Sequence, residues 1–336
     1  MAKRRLSEQQ KRRIESYQQN KIKNGQLKDS KLQLDESSSQ TARVISHHGR
    51  QLFVEDQNYK KIKCKIRQSL GDIACGDYVI VQQAIEATGE AQHVVVAIKE
   101  RSNLLVKTGF QGAIKPVAAN IGQLVIVTSL KPKPNSYLID RYLIAAENLP
   151  AEAVIVINKV DLQDHETKKI ADDLADLYRS IGYRVIITSM KQNIGLDELS
   201  AALSQTTSIL VGLSGVGKSS IVKMILPREE IRIGETSAAT GEGKHTTTVS
   251  ALYHLKDDGI IIDSPGVRDF TPINNSVDEI TYGFVDVRKY SGSCKFKNCS
   301  HNNEPECAMK QAVSEGKLNE LRFNNYRRLV QEFNEQ

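Results

Sequence analysis

From Gly122 onward, short apolar segments alternate with stretches of helical period, and this alternation constrains the fold more than any other feature of the chain. Leu124–Thr128, Ala153–Ile157, Arg184–Thr188, Ile209–Val211 and Gly259–Asp263 read as strands. Tyr137–Asn148, Asp164–Ile181, Leu196–Leu203 and Lys218–Leu226 read as the helices. Such an order builds a parallel sheet with helices on both faces. The apolar runs are one buried strand long, far short of the ~20 residues of a membrane-spanning helix. The N-terminus, Met-Ala-Lys-Arg-Arg-Leu-Ser, lacks the apolar stretch of a secretory signal. A cytoplasmic α/β protein with no membrane partner is expected.

Gly212-Leu213-Ser214-Gly215-Val216-Gly217-Lys218-Ser219 fits the G-x-x-x-x-G-K-[ST] phosphate loop in full and lies between a strand and a helix. Glycines let backbone N–H groups curl around phosphate, and the helix N-terminus adds a positive dipole. In this pattern Lys218 reaches the β- and γ-phosphates and the Ser219 hydroxyl coordinates Mg²⁺. A glycine-rich turn that binds nothing is the bland alternative.

Asn158-Lys159-Val160-Asp161 selects the base. It stands at the carboxyl end of Ala153–Ile157, where open parallel sheets bind their ligands. A carboxylate there accepts two hydrogen bonds from guanine N1–H and the exocyclic amine. Adenine offers neither, and the site would be left with an unpaired acceptor. Lys159 can pack over the base, and Asn158 can tie its loop to the phosphate loop. Thr188-Ser189-Met190-Lys191 is placed to offer a backbone N–H to guanine O6, with Met190 where Ala is usual.

Asp263-Ser-Pro-Gly266 supplies a carboxylate for Mg²⁺ and an N–H for the γ-phosphate. Thr240–Thr248 reads as a switch loop in which Thr246 or Thr247 completes the metal shell. Val267 occupies the place of the usual water-positioning Gln, so hydrolysis by the isolated chain should be slow. His245 is a polar candidate for that task, against the plainer reading of a surface histidine beside a threonine run. The order is informative. Asn158–Asp161 and Ser189 precede Gly212–Ser219, whereas an ordinary GTPase starts with its phosphate loop. The parts are those of a circularly permuted P-loop GTPase domain, a rearrangement the sheet tolerates when the original termini lie close.

Upstream, Ala42–His47, Arg50–Glu55, Tyr59–Arg67, Asp77–Gln82 and Gln92–Lys99 form five strand candidates, the first two a hairpin around His48-Gly49. Five short strands fit an OB-type β-barrel, with or without a nucleic-acid role. Downstream, Cys294, Cys299, His301 and Cys307 fall within fourteen residues, a set suited to one structural tetrahedral Zn²⁺. Three cysteines cannot all pair internally as disulfides. Lys289, Lys295, Lys297, Lys310, Arg322, Arg327 and Arg328 around it suit either a nucleic-acid surface or a solvated face. Cys64 and Cys75 read as barrel core. Asn319–Phe333 reads as a closing helix.

Charge is uneven. Residues 1–31 hold ten basic and three acidic residues, so the other 36 basic and 37 acidic residues leave a near-neutral body. Such a tail attracts a polyanion or merely solubilises. It runs into Asp35–Gln40, a polar, serine-rich stretch that reads as a linker.

Taken together, the chain from about Thr41 onward resembles the ribosome small-subunit-dependent GTPases A, the RsgA/YjeQ-type circularly permuted GTPases. The resemblance rests on Asn158–Asp161, Gly212–Ser220, Gly243–Thr248, Asp263–Gly266 and the Cys294/Cys299/His301/Cys307 set. It implies a multidomain α/β fold: an N-terminal OB barrel, a central permuted GTPase domain and a C-terminal zinc-binding, α-rich domain. The expected layout is a disordered basic tail at 1–40, the barrel at 41–100, the GTPase domain at 101–275 and the zinc domain at 276–336. The implied function is hydrolysis of GTP to GDP and phosphate, stimulated by the small ribosomal subunit and its rRNA during late maturation; with no heptads and no evident oligomer surface in the sequence, a monomer is the default expectation. An RNA-binding protein in which GTP only sets conformation is the alternative. Carried over residue by residue, Asn158, Lys159, Asp161, Ser189, Met190, Gly212–Ser220, Asp263 and Gly266 bind GTP. Ser219, Thr247 and Asp263 hold Mg²⁺, and Lys218, Thr247 and His245 serve catalysis, with His245 near the attacking water.

Overall fold

The structure, a computed structural model, describes residues 33–48, 51–67, 70–85, 91–108, 114–162, 164–226, 250–264 and 276–335. Its described residues fall into two compact units. One comprises the described residues within Met1–Gly122, Ser200–Leu210 and Val222–Phe270, the other those within Gln123–Leu199, Val211–Ile221 and Thr271–Gln336.

In the first unit, β1 (Gln33–His48), β2 (Gln51–Glu55), β3 (Lys61–Ile66), β4 (Tyr78–Ile85) and β5 (Ala91–Ile98) close into a barrel. The pairing runs β1-β2-β3-β5-β4 and back to β1, with β3–β5 the parallel step. This is the expected five-stranded OB-type barrel. Alternation drives it: Ala42, Val44, Leu52, Val54, Ile62, Cys64, Val79, Val81 and Val95 point inward and form its core. A buried Arg101–Asp77 pair braces the base, with Arg101 Nε and Nη2 donating to the two Asp77 oxygens at 2.6 and 2.7 Å. Cys64 and Cys75 are buried, and burial pushes both thiols up to about 12, so they are inert packing groups.

Asp35–Gln40 is not a linker. It lies inside β1, which bulges between Asp35 and Gln40 as it pairs with β4. Side-chain bonds compensate for the missing apolar alternation: the Gln83 amide donates to Ser38 Oγ and Gln82 Nε2 to Ser39 Oγ, both at 2.7 Å. A hairpin that the sequence reading missed, β6 (Leu104–Thr108) with β7 (Ile114–Ala119), follows the barrel.

The same unit contains β12 (Ala251–His254), β13 (Ile260–Asp263) and all but the last residue of β11 (Thr207–Val211). β13 runs parallel to β11 and antiparallel to β12, a strand not foreseen from sequence. Through Ser46↔Ala251 and Ala251↔Asp263, β1, β12 and β13 share one hydrogen-bonded ladder.

In the second unit, β8 (Gln123–Ser129), β9 (Glu152–Asn158) and β10 (Arg184–Ile187) are parallel neighbours in the order β10-β9-β8. Every residue of β8, and all of β9 but Glu152, is buried, as befits parallel strands covered on both faces. The helices are α1 (Ser136–Asn148), α2 (His165–Ile181), α3 (Leu196–Leu203) and α4 (Lys218–Ile225), the last two continuing into the first unit. α2 begins with an Asp164–Thr167 capping box, ends at Gly182 with φ 105°, and buries Ala171, Leu174, Ala175 and Tyr178.

The C-terminal segment adds α5 (Val277–Gly283), α6 (Ala308–Ser314) and α7 (Glu320–Asn334), packed around Ile280, Phe284, Val287, Met309, Phe323, Tyr326 and Leu329. Arg322 departs from expectation. It is 1% exposed, so it contributes nothing to a basic surface. Its guanidinium grips Asp286 with two donors, at 2.7 and 3.1 Å, and donates to Asp140 of α1. Asp140, itself 0% exposed, also accepts from Tyr178 Oη at 2.6 Å and Asn325 Nδ2 at 2.7 Å. Burial raises the Asp140 carboxyl, an effect that the Arg322 cation and these bonds oppose.

Candidate functional site

The phosphate-loop sequence and the Asn158–Asp161 motif meet within the second unit. Gly212, Gly215 and Gly217 adopt φ 137°, 80° and 102°, conformations that disfavour a side chain. Two of them also lack room. A Cβ on Gly212 would lie 2.1 Å from the Val127 carbonyl oxygen, and one on Gly217 2.3 Å from Asn158 Nδ2. Leu213, Ser214, Gly215, Ser219 and Ser220 face solvent, while Val216 is buried and anchors the loop. Lys218 is mostly buried, its ammonium donating to the Gly212 and Leu213 carbonyls at 2.6 Å each. The cation therefore already lies along the concave side of the loop.

Asn158 behaves as the sequence suggested. Fully buried at the end of β9, it donates from Nδ2 to the Val216 carbonyl at 3.0 Å and accepts at Oδ1 from Thr188 Oγ1 at 3.1 Å. Lys159, held at φ 64°, donates to the Gly215 and Lys131 carbonyls, so its stem crosses beside the loop. Asp161 is half-exposed, and Ser189 Oγ donates to its Oδ1 at 2.6 Å. The hydroxyl accepts in turn from the Gln192 amide at 3.1 Å. This use of the Ser189 side chain was not foreseen. Nor was the use of its backbone: the Ser189 N–H bonds the Ile194 carbonyl at 3.1 Å. The Ser189 N–H is thus already engaged within its own loop, and Met190, half-buried, comes next.

Asp263 closes β13 in the first unit, opposite Ala251. Next to it Ser264 is buried and bonds the Ser250 hydroxyl at 2.6 Å. His245, Thr246, Thr247, Gly266 and Val267 lie outside the described residues.

Cys294, Cys299, His301 and Cys307 converge, their ligand atoms all within 4.8 Å of one another. Cys294 Sγ lies 3.6 Å from His301 Nδ1 and 3.9 Å from Cys307 Sγ, and His301 Nδ1 lies 3.4 Å from Cys307 Sγ. The cluster can hold a metal ion. His301 sits at φ 61°, a conformation the loop imposes to turn its ring inward, and Cys307 opens α6.

Comparison with known proteins agrees. The family model for the RsgA GTPase matches residues 98–272. The small ribosomal subunit biogenesis GTPase RsgA of Saccharophagus degradans is 44% identical, covering 98% of this chain and 97% of that protein. Its counterpart from Yersinia enterocolitica is 39% identical over 98% of this chain and 95% of its own length. Among solved structures, YjeQ from Thermotoga maritima aligns with a TM-score of 0.68 and 32% identity, covering 88% of this chain and 98% of that one. YloQ, a circularly permuted GTPase, aligns at 0.66 and 30%, covering 88% and 96%. With motif order, barrel, phosphate-loop geometry and cysteine cluster in agreement, the chain belongs to the RsgA GTPase family.

Proposed function

We propose that the protein hydrolyses GTP to GDP and phosphate while bound to the maturing small ribosomal subunit. The observation that carries this reading is the tie between Asn158 and Val216, which fixes the Asp161 loop to the phosphate loop at one spacing. That spacing suits a guanine nucleoside with its phosphates in the Gly212–Ser220 loop. The names of the similar proteins supply the ribosomal partner.

Asp161 is assigned to the guanine N1–H and amine, with Ser189 Oγ holding its carboxylate in place. The Met190 amide is assigned to O6. Lys218 exchanges its two loop carbonyls for phosphate oxygens when GTP arrives. Ser219, Thr247 and Asp263 are hard oxygen donors of the kind Mg²⁺ takes, and they are assigned to the ion that accompanies GTP. Mg²⁺ supplies neutralisation of the developing phosphate charge. Gly266 is assigned to the γ-phosphate and His245 to the attacking water.

The Cys₃His cluster is assigned to one structural Zn²⁺. Zn–S bonds of ~2.3 Å in a tetrahedron place sulfurs about 3.8 Å apart. The Cys294–Cys307 separation of 3.9 Å meets that edge before any ion is considered. Four protein ligands leave no position for substrate, so the ion would brace the loop between the 3₁₀ turn Val287–Tyr290 and α6. A monomer in the cytoplasm fits this work, and among the described residues no helix is long and apolar enough to cross a membrane.

Multiple-turnover hydrolysis with and without purified small subunits tests the reading. Stimulation by subunits supports it; equal rates would favour an RNA-binding protein in which GTP only sets conformation.

A further inference from the structure

The β12–β13 hairpin ends on a pair of hydroxyls to which no role has been given. Its ladder pairs His254↔Ile260, Tyr253↔Ile261, Leu252↔Ile262 and Ala251↔Asp263, and Asp263 is the last step. One position farther along each chain, Ser250 and Ser264 stand opposite each other, their hydroxyls bonded at 2.6 Å. A hydroxyl–hydroxyl bond is ordinarily about 2.7–2.8 Å long, so this one is close and well formed. Pro265 follows in sequence; it has no N–H with which to extend the ladder, and it keeps Ser264 out of the helical region. The side-chain bond takes over where the backbone pattern gives out.

Alternation decides which way each side chain goes. Leu252 and Ile262, 7% and 1% exposed, share the covered face of the hairpin. The next pair, Ala251 and Asp263, lies on the other face and is partly exposed. The step after that returns to the covered face, where Ser264 is 5% exposed. Asp263 thus emerges between two anchored neighbours, Ile262 held by the ladder and Ser264 held by its hydroxyl.

Ser250 is the fixed half of the pair. β12 is held on both edges, since Ala251 pairs with Ser46 of β1 as well as with Asp263, and His254 Nε2 meets Glu55 Oε2 of β2 at 2.7 Å. Satisfying a buried hydroxyl would account for Ser264 alone. It does not account for Ser250, which is half-exposed and within reach of water. Thr240–Thr248 ends two residues before Ser250, so one hydroxyl bond links the two stretches of chain whose residues are assigned to Mg²⁺.

We propose that Ser250 and Ser264 are positioning residues for GTP hydrolysis: their hydroxyl bond fixes the chain on the far side of Asp263 and so aims its carboxylate at Mg²⁺. The inference rests on the assignment of Asp263 to that ion. Two measurements on the full chain test it. Binding of a fluorescent, non-hydrolysable GTP analogue is titrated with Mg²⁺, and multiple-turnover hydrolysis is followed with purified small subunits. Ser264→Ala and Ser250→Ala should each raise the Mg²⁺ concentration for half-maximal binding, and lower kcat, by roughly 3- to 30-fold. Analogue affinity in EDTA should stay that of the parent. Ser250→Thr, which keeps the hydroxyl at a partly exposed position, should behave as the parent does. The double alanine variant should be no worse than either single one, because both groups act through one bond. A Mg²⁺ requirement within about two-fold of the parent in both alanine variants overturns the proposal. So do additive losses in the double variant, a Ser250→Thr as impaired as Ser250→Ala, or an equal loss of affinity in EDTA, which would mark a merely structural bond. Asp263→Asn separates the two readings. If it shifts the Mg²⁺ requirement and the serine variants do not, the positioning role fails and the assignment of Asp263 stands; if it shifts nothing, that assignment fails and the positioning role falls with it.

Discussion

Removing the Arg322 side chain should be among the most damaging single changes in the second unit. Arg322→Met preserves length and helix propensity but leaves Asp140 at 0% exposure with only the neutral donors Tyr178 and Asn325. Asp286 loses both guanidinium bonds at the same time. Breaking a buried ion pair from one side costs about 3–5 kcal/mol. At ~2–4 °C per kcal/mol, the melting midpoint should fall by roughly 6–20 °C, towards the lower end for a chain this long. The sign with pH is fixed. Burial raises the Asp140 carboxyl, and loss of the nearby cation raises it further. The folded variant then holds a proton that the unfolded chain releases above ~4, so stability falls as pH rises from there through the folded value. The deficit of Arg322→Met should accordingly be smaller at pH 5 than at pH 8. Adding Asp140→Asn should recover part of it. Scanning fluorimetry at both pH values measures all three effects. A midpoint within about 2 °C of the parent, or a deficit independent of pH, would refute the reasoning.

Other outcomes follow from the site. Asp161→Asn should weaken GTP by about 10- to 100-fold and shift preference away from guanine, measured by competition among nucleotides; retained selectivity removes Asp161 from base recognition. Gly217→Ala places a methyl 2.3 Å from Asn158 Nδ2 at φ 102°, and should lower GTP affinity by roughly 5- to 150-fold in calorimetry. Cys299→Ala should lower bound zinc in elemental analysis and reduce the midpoint, and a chelator should do the same to the parent chain. Unchanged metal content takes Cys299 out of the cluster.

Contiguous signals were the legible ones. The phosphate loop, Asn158–Asp161 and the Cys₃His set each lie in one short stretch whose residue types state their chemistry. β8 and β9 were legible because parallel strands buried on both faces leave an uninterrupted apolar run. Features made by long-range pairing were hidden. Arg322 looked like a surface cation because its partner Asp140 lies 182 positions away, and nothing in a helix pattern reveals such a match. Asp35–Gln40 looked like a linker because its strand is stabilised by serine hydroxyls rather than apolar alternation. That the Ser189 amide is engaged was not legible, because the reverse turn that pairs it with Ile194 leaves no distinct residue signature. Four-residue β12 offered too few positions to show a period.

The ladder Ser46–Ala251–Asp263 joins the barrel to the end of β13 through peptide groups alone. Side chains along it can be exchanged without cutting the link, because every residue other than proline carries the same donor and acceptor. A displacement of Asp263 along its strand is therefore felt by the barrel as tension in a shared backbone, whatever residues decorate the surface. Mutagenesis by alanine will pass over this connection; a proline in β12, which deletes a donor from the ladder, will expose it.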